Sequence, residues 1–387
     1  MNTTGKPGKG RILFVLGSLA VGGTETQLAL LSEGLVRRGW AVEIFLLEKS
    51  GGLIERVEQA GVEVTDGGCM TGPGSKVRKL LSVVGCELRL VWRALRSRPD
   101  VVHGFLPLAN FMSALAARVT FIPLVVTSKR ALGNHQQRLT VWKRLDRIAN
   151  ALSNVITANS HAVADDTEMR DGYDASRIVV IPNGLDFSRI DAAAGQRDDA
   201  RNELGLSKSD VAIVMVANLI PYKGHLDLIE AFARVAPGDF RLKLFLIGQD
   251  RGVAKALISR AAELGVTDRI ELMGPRSDVP RLLSAMDLGV LSSHEEGFSN
   301  ALLEKLASGL PVVATDAGGN REALTGMPDC VLVRPRDPDD LARGLTEVIG
   351  QLGADDRNRK IRQRSLHERY SVDAMVDAYE RIYLRTR

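Results

Sequence analysis

The sequence predicts an α/β protein built of two doubly wound domains that face each other across a cleft. Three observations carry this. At 387 residues the chain exceeds what one hydrophobic core usually serves. Short runs rich in Val and Ile, apolar on both faces as buried parallel strands are, alternate with helical patterns from end to end. The alternation also falls into two blocks with a polar stretch between them.

Residues 1–10 hold four Gly or Pro and no apolar periodicity, and are read as a flexible lead-in. The first block, 11–190, offers strands beginning at Arg11, Val42, Val62, Asp100, Pro123, Asn154 and Arg177. The second block, 211–370, offers strands beginning at Val211, Leu242, Arg269, Asp287, Pro311 and Val331. Residues 191–210 are polar, contain two glycines and break the rhythm, so the interdomain linker is placed there. The last segment, 371–387, reads as a helix with Met375, Val376, Tyr379, Ile382 and Tyr383 on one side.

Composition narrows the class of protein. Hydrophobic residues make up 45% and charged residues 25%, ordinary for a globular enzyme, and 37 glycines suit many strand-to-helix turns. Cys69, Cys86 and Cys330 are far apart and form no C-x-x-C pair, which argues against a disulfide framework or a structural zinc and suits a reduced cytoplasm. The apolar run from Ile12 to Val21 is too short to span a bilayer and reads as a buried first strand. A formal charge of +4 is modest for this length and does not imply nucleic acid.

In doubly wound sheets ligands bind at the carboxyl ends of the strands, so residues just after strands are the functional candidates. The strand that begins at Asp287 is followed by His294-Glu295-Glu296-Gly297-Phe298-Ser299-Asn300 and then by a helical Ala301–Gly309. Glu296 therefore lies in the turn and Glu304 on the helix, bracketing the helix N-terminus. Unpaired amides and the positive end of the helix dipole favour a phosphate there, so a diphosphate fits with a sugar at each end. Glu295 is out of register with Glu304 and reads as solvated.

This strand-turn-helix with Glu, seven residues, Glu is accompanied in order by Val21-Gly22-Gly23-Thr24-Glu25, Asp100-Val101-Val102-His103, Pro182-Asn183-Gly184-Leu185-Asp186, Pro221-Tyr222-Lys223-Gly224, Pro311-Val312-Val313-Ala314-Thr315, Gly318-Gly319 and Glu322. Over essentially the whole chain the set resembles the retaining glycosyltransferase family numbered four, whose fold pairs two Rossmann-like domains (GT-B). The resemblance implies transfer of a hexosyl or N-acetylhexosaminyl group from a UDP- or GDP-sugar to a hydroxyl of a glycan or lipid-linked acceptor. It implies no cofactor and no metal, and a place in cell-surface polysaccharide or glycolipid synthesis.

Carried over by resemblance, Glu296 contacts the donor sugar near its reacting carbon and Glu304 binds the ribose hydroxyls. Lys223 meets the diphosphate and stabilises the leaving group, and His103 faces the sugar from the first domain. Gly297, Phe298, Ser299 and Asn300 complete the donor site, while Gly22 and Gly23 let backbone amides approach the donor phosphate or the acceptor. The final helix, 371–387, is expected to cross back onto the first domain. One position departs from the family's pattern: five residues before the lysine, where the family has Arg, stands Asn218, a donor site residue without charge.

Asp337-Pro338-Asp339 has the D-x-D spacing by which other transferases hold a metal, yet Asp followed by Pro and a helical pattern is a helix start. Residues 76–98 carry seven Lys or Arg against the single acid Glu87, with Leu80, Val84, Leu88, Val91 and Leu95 at helical spacing. Two readings stay open: a surface helix packing that stripe on the sheet, or a basic helix docking on an anionic membrane surface, placing a cytoplasmic protein peripherally on the inner face of the cell membrane. Lys129, Arg130, Arg138, Lys143, Arg144 and Arg147 add a second basic stretch in the same domain. The competing functions are a non-catalytic sugar-nucleotide-binding protein of the same fold and a sugar-nucleotide epimerase.

Overall fold

The computed structural model describes residues 8–70, 75–133, 140–353 and 356–386. Most of the expected lead-in, residues 1–7, and Arg138 of the second basic stretch lie outside the described residues. The chain divides into two compact units, 1–184 with 372–387, and 185–371.

The first unit holds a parallel sheet of β1 (Arg11–Leu16), β2 (Ala41–Leu46), β3 (Glu63–Asp66), β4 (Val101–Phe105), β5 (Leu124–Lys129), β6 (Val155–Ala158) and β7 (Ile178–Val180), in the order β3-β2-β1-β4-β5-β6-β7. The second holds β8 (Val211–Val216), β9 (Leu242–Ile247), β10 (Ile270–Gly274), β11 (Leu288–Leu291), β12 (Val312–Thr315) and β13 (Val331–Val333), in the order β10-β9-β8-β11-β12-β13. Both are Rossmann-like. Each direction of winding reverses between the first strand and a later one, at β1/β4 and at β8/β11, which is where a doubly wound sheet opens its crevice.

The expected linker is instead part of the second unit. Helices Phe187–Ala193 and Arg197–Glu203 occupy much of it, and Ala200 and Leu206 are buried beside Ala212 and Val214 of β8. Its polarity is structural: Arg201 Nη1 donates to Asp287 Oδ2 at 3.0 Å, Arg197 pairs with the other carboxylate oxygen, and Asp287 Oδ2 also accepts from Ala212 N at 2.8 Å. Arginines that satisfy a carboxylate at the foot of β11 are indistinguishable, in sequence, from those of a solvated connector.

Helix Val372–Tyr383 belongs to the first unit, and its Met375, Val376, Tyr379, Ile382 and Tyr383 are all buried in that unit's core. It lies so close to helix Gly23–Arg37 that a Cβ at Gly34 would stand 2.5 Å from Val376 Cγ2. Trp40 Nε1 and Lys9 Nζ both donate to Glu380 Oε1, at 2.7 and 2.9 Å, and fix its outer face.

Of the stripe read from its sequence, helix Lys76–Ser97 packs Val91 against the core and leaves Leu80, Val84, Leu88 and Leu95 outside it. Cys86, Leu90, Ala94 and Ser97 are its buried residues, while Leu80, Leu81, Val84, Leu88, Trp92 and Leu95 are exposed, Leu88 by 65% and Trp92 by 59%. Of its cations, Arg93 bonds Glu43 and Glu63 and Arg89 donates to Gly67 O at 2.7 Å, so those two turn toward the domain.

Candidate active site

At the switch point of the second sheet, β8 leads through Ala217 and Asn218 into a short turn, Pro221–Lys223, closed by Gly224. Gly224 has φ +69°, and a side chain there would collide with the Ser292 carbonyl just after β11, so only glycine lets the two loops approach this closely. Ser292 Oγ donates back to Gly224 O at 2.9 Å. The outcome is that Lys223 Nζ reaches Glu296 Oε1 at 2.6 Å, and Ser293 Oγ donates to the same oxygen at 2.7 Å.

The backbone behind Glu296 is clamped from β12. Gly318, with φ +55°, lies against the Glu296 carbonyl too closely for a side chain, and Gly319 N donates to Gly297 O at 2.9 Å. Phe298 is buried, its ring centroid 5.4 Å from that of Tyr370, and so anchors the turn from inside the unit. Ser299 caps helix Asn300–Ala307, its hydroxyl accepting from Leu302 N at 3.3 Å. The resemblance puts both side chains among the donor contacts; in this structure Phe298 is core and the Ser299 hydroxyl serves the helix.

Glu304 lies one turn into that helix. Burial holds its carboxyl above the ordinary carboxylate range, opposed by Lys305 and Arg189. Asn218 is exposed, and its Oδ1 accepts from Gln249 N at 3.1 Å. Glu296, Lys223, Glu304 and Asn218 are thus gathered at the carboxyl end of one sheet. Ser293 and the buried Lys305 carry no mark in the sequence: Ser293 is a small residue following a strand, and Lys305 looks like any charged helix position.

The remaining candidates lie in the first unit. His103 does not face a site: it is completely buried, with Nδ1 2.7 Å from Tyr383 Oη, Nε2 2.8 Å from Ser128 Oγ, and its ring stacked 4.3 Å from Phe105. Burial, with the Arg130 charge nearby, pushes its pKa well below the ordinary histidine value. It is a neutral core residue tying β4 to the final helix. Gly22 is the N-cap and Gly23 the first residue of helix Gly23–Arg37, and a side chain at Gly22 would meet the Glu25 carboxylate, which folds back over this helix end. Burial raises the Glu25 pKa, countered by its own backbone and by Arg130. The amide end thus carries a carboxylate of the chain itself.

Asp337 of the D-x-D stretch is the N-cap of helix Pro338–Gln351, accepting from Asp340 N at 2.9 Å. Among the described residues no group of three or more His, Cys, Asp or Glu stands together as metal ligands would.

Two Rossmann-like sheets, with a paired lysine and glutamate at one switch point and a second glutamate on the helix beyond, define a GT-B glycosyltransferase. Comparison with known proteins agrees. The model of Glycosyltransferase Family 4 matches residues 21–189, and that of Glycosyl transferases group 1 matches 210–351. The chain belongs to this family of glycosyltransferases.

A D-inositol 3-phosphate glycosyltransferase of Geodermatophilus obscurus is 28% identical over 382 residues, 92% of this chain and 84% of the relative. HepE of Anabaena in complex with UDP aligns with a TM-score of 0.83 at 23% identity, covering 97% of this chain and 100% of that one. Its complex with UDP-glucose aligns at 0.81 and 23% identity, covering 98% and 100%. These two likenesses bear on the fold.

Proposed function

We propose that the protein moves a hexosyl or N-acetylhexosaminyl group from a UDP- or GDP-sugar, with retention of configuration and without a metal, to a hydroxyl of a glycan or lipid-linked acceptor. The observation that carries this reading is the 2.6 Å contact of Lys223 with Glu296 at the switch point, next to the capped N-terminus of helix Asn300–Ala307. Lysine and helix amides together supply the positive field that a departing nucleoside diphosphate needs. The UDP and UDP-glucose complexes of HepE support a sugar-nucleotide donor.

In this scheme the bond from the anomeric carbon to the diphosphate oxygen breaks while the acceptor oxygen bonds to the same face of that carbon. The acceptor's proton passes to the departing phosphate oxygen. Lys223 neutralises the charge that accumulates there, and Glu296, held by Lys223 and Ser293, orients the sugar and stabilises its positive character. Glu304 accepts from the ribose hydroxyls.

The acceptor is placed at a membrane surface, within cell-surface polysaccharide or glycolipid synthesis on the cytoplasmic side. Among the described residues no helix is long and apolar enough to cross a membrane. Helix Lys76–Ser97 instead offers an outward apolar row with cations on the same element, the build of a helix lying in the interface of an anionic bilayer.

The deciding experiment is a thermal-shift panel of UDP, GDP, ADP and their common sugars with chelator present. Selective stabilisation by one base supports the reading, because a ligand at about 100 times its dissociation constant adds about 2.7 kcal/mol. A shift that requires added divalent metal would refute the metal-free mechanism.

A further inference from the structure

Lys305 follows Glu304 on helix Asn300–Ala307, and its side chain is completely buried. Its stem crosses β11 where that strand has Gly289; a Cβ at that position would stand 2.5 Å from Lys305 Cδ, so the glycine leaves the channel open. The stem thereby runs toward the N-terminal end of its own helix, where Nζ donates to Ala301 O at 3.2 Å. Ala301 is the second residue of the helix, so the ammonium lies under the amide end that flanks Glu296.

Among the described residues no ion pair holds this ammonium; one carbonyl does. The charged groups that act on it are Glu304 from its own helix, Glu296 from the turn after β11 and Lys223 from the turn after β8, the first two favouring its charged form and Lys223 opposing it. Burial brings its pKa down to about 8. At neutral pH about nine in ten molecules therefore carry the charge. An ammonium buried this way is destabilising unless a ligand offsets it, and a methionine would fill the same volume at lower cost. Its presence points to an anion.

Resting on the donor reading above, we propose that Lys305 is a positioning residue whose buried charge, together with Lys223, makes the field that binds the donor's diphosphate, supplying part of the charge missing at Asn218. It touches neither sugar nor acceptor. Its action is through space, across the first turn of the helix.

The test uses the full chain and its Lys305→Met variant, titrated calorimetrically with whichever of UDP or GDP stabilises the wild type, and with the matching nucleoside, in chelator. The variant is expected to melt at or above the wild-type temperature, to bind the nucleoside as before and to bind the diphosphate about tenfold or more weakly. Wild-type diphosphate affinity should also fall as pH rises through about 8, a fall the variant lacks. Equal diphosphate affinity in the two proteins overturns the proposal. So does an equal loss for nucleoside and diphosphate, or a lower melting temperature with proportionate loss of both, since either marks a packing role. A wild type that binds neither diphosphate defeats the donor reading itself, and this inference with it.

Discussion

Lys223 Nζ and Glu296 Oε1 are 2.6 Å apart although 73 positions separate the residues, because Gly224 lets the turn after β8 press against the end of β11. The pair has a consequence for mutants. Glu296→Gln keeps the shape of the turn and should bind nucleotide nearly as the wild type does, yet lose about 10²–10³-fold in kcat, the scale of one missing electrostatic contact in the transition state. Lys223→Met should weaken diphosphate binding and lower kcat together. Titration with nucleotide and a nucleotide-release assay separate the two, and undiminished turnover in Glu296→Gln would remove Glu296 from the site.

Glu304 predicts a trade between stability and binding. Its carboxyl is held above the ordinary 4.5 chiefly by burial. A carboxyl with a raised folded pKa stabilises the fold only while protonated, and this contribution is lost as pH rises through the folded value. Glu304→Gln should therefore melt higher than the wild type at neutral pH, with the gap closing below about pH 4. The same variant should bind nucleotide about tenfold or more weakly, through the lost ribose contact. Melting curves against pH, beside nucleotide titrations, check both halves.

His103 predicts acid sensitivity without a catalytic phenotype. Its pKa lies well below the ordinary 6.5, so the fold's stability from this residue is present above about 6.5 and is lost as pH falls below it. His103→Ala removes the His103 hydrogen bonds to Tyr383 and Ser128 and opens a cavity, costing about 2–4 kcal/mol. At about 2–4 °C per kcal/mol, the melting temperature should drop by several degrees or more. kcat measured well below that temperature should hardly change; a selective loss of kcat in a well-folded variant would return His103 to the active site.

For the outward row of helix Lys76–Ser97, Leu88→Glu and Trp92→Glu should leave stability within about 0.5 kcal/mol, since both side chains are already more than half exposed. They should abolish flotation with vesicles containing anionic lipid while sparing nucleotide binding. Wild-type flotation should weaken as salt rises, with lipid charge screened over about 8 Å at physiological ionic strength. Wild-type protein that stays with the pellet at low salt would end the membrane reading.

The amino-acid sequence alone determines whatever depends on local pattern. Strands such as Ile12–Leu16 and Ala212–Met215 are apolar throughout because both faces of a parallel sheet are covered, and that leaves a mark in the chain itself. The Glu296 and Glu304 spacing, and the apolar side of helix Val372–Tyr383, are local in the same way. What the tertiary structure alone decided depends on partners far off in sequence. Arg197 and Arg201 look like linker residues until Asp287 is beside them. His103 looks like a strand-end ligand until Tyr383 and Ser128 take both nitrogens. Which row of helix Lys76–Ser97 turns inward, and whether Lys305 points to water or under its own helix, follow from how each helix rolls on its sheet. That roll is set by the shape of the opposing surface, such as the opening left by Gly289, and helical periodicity carries no information about it.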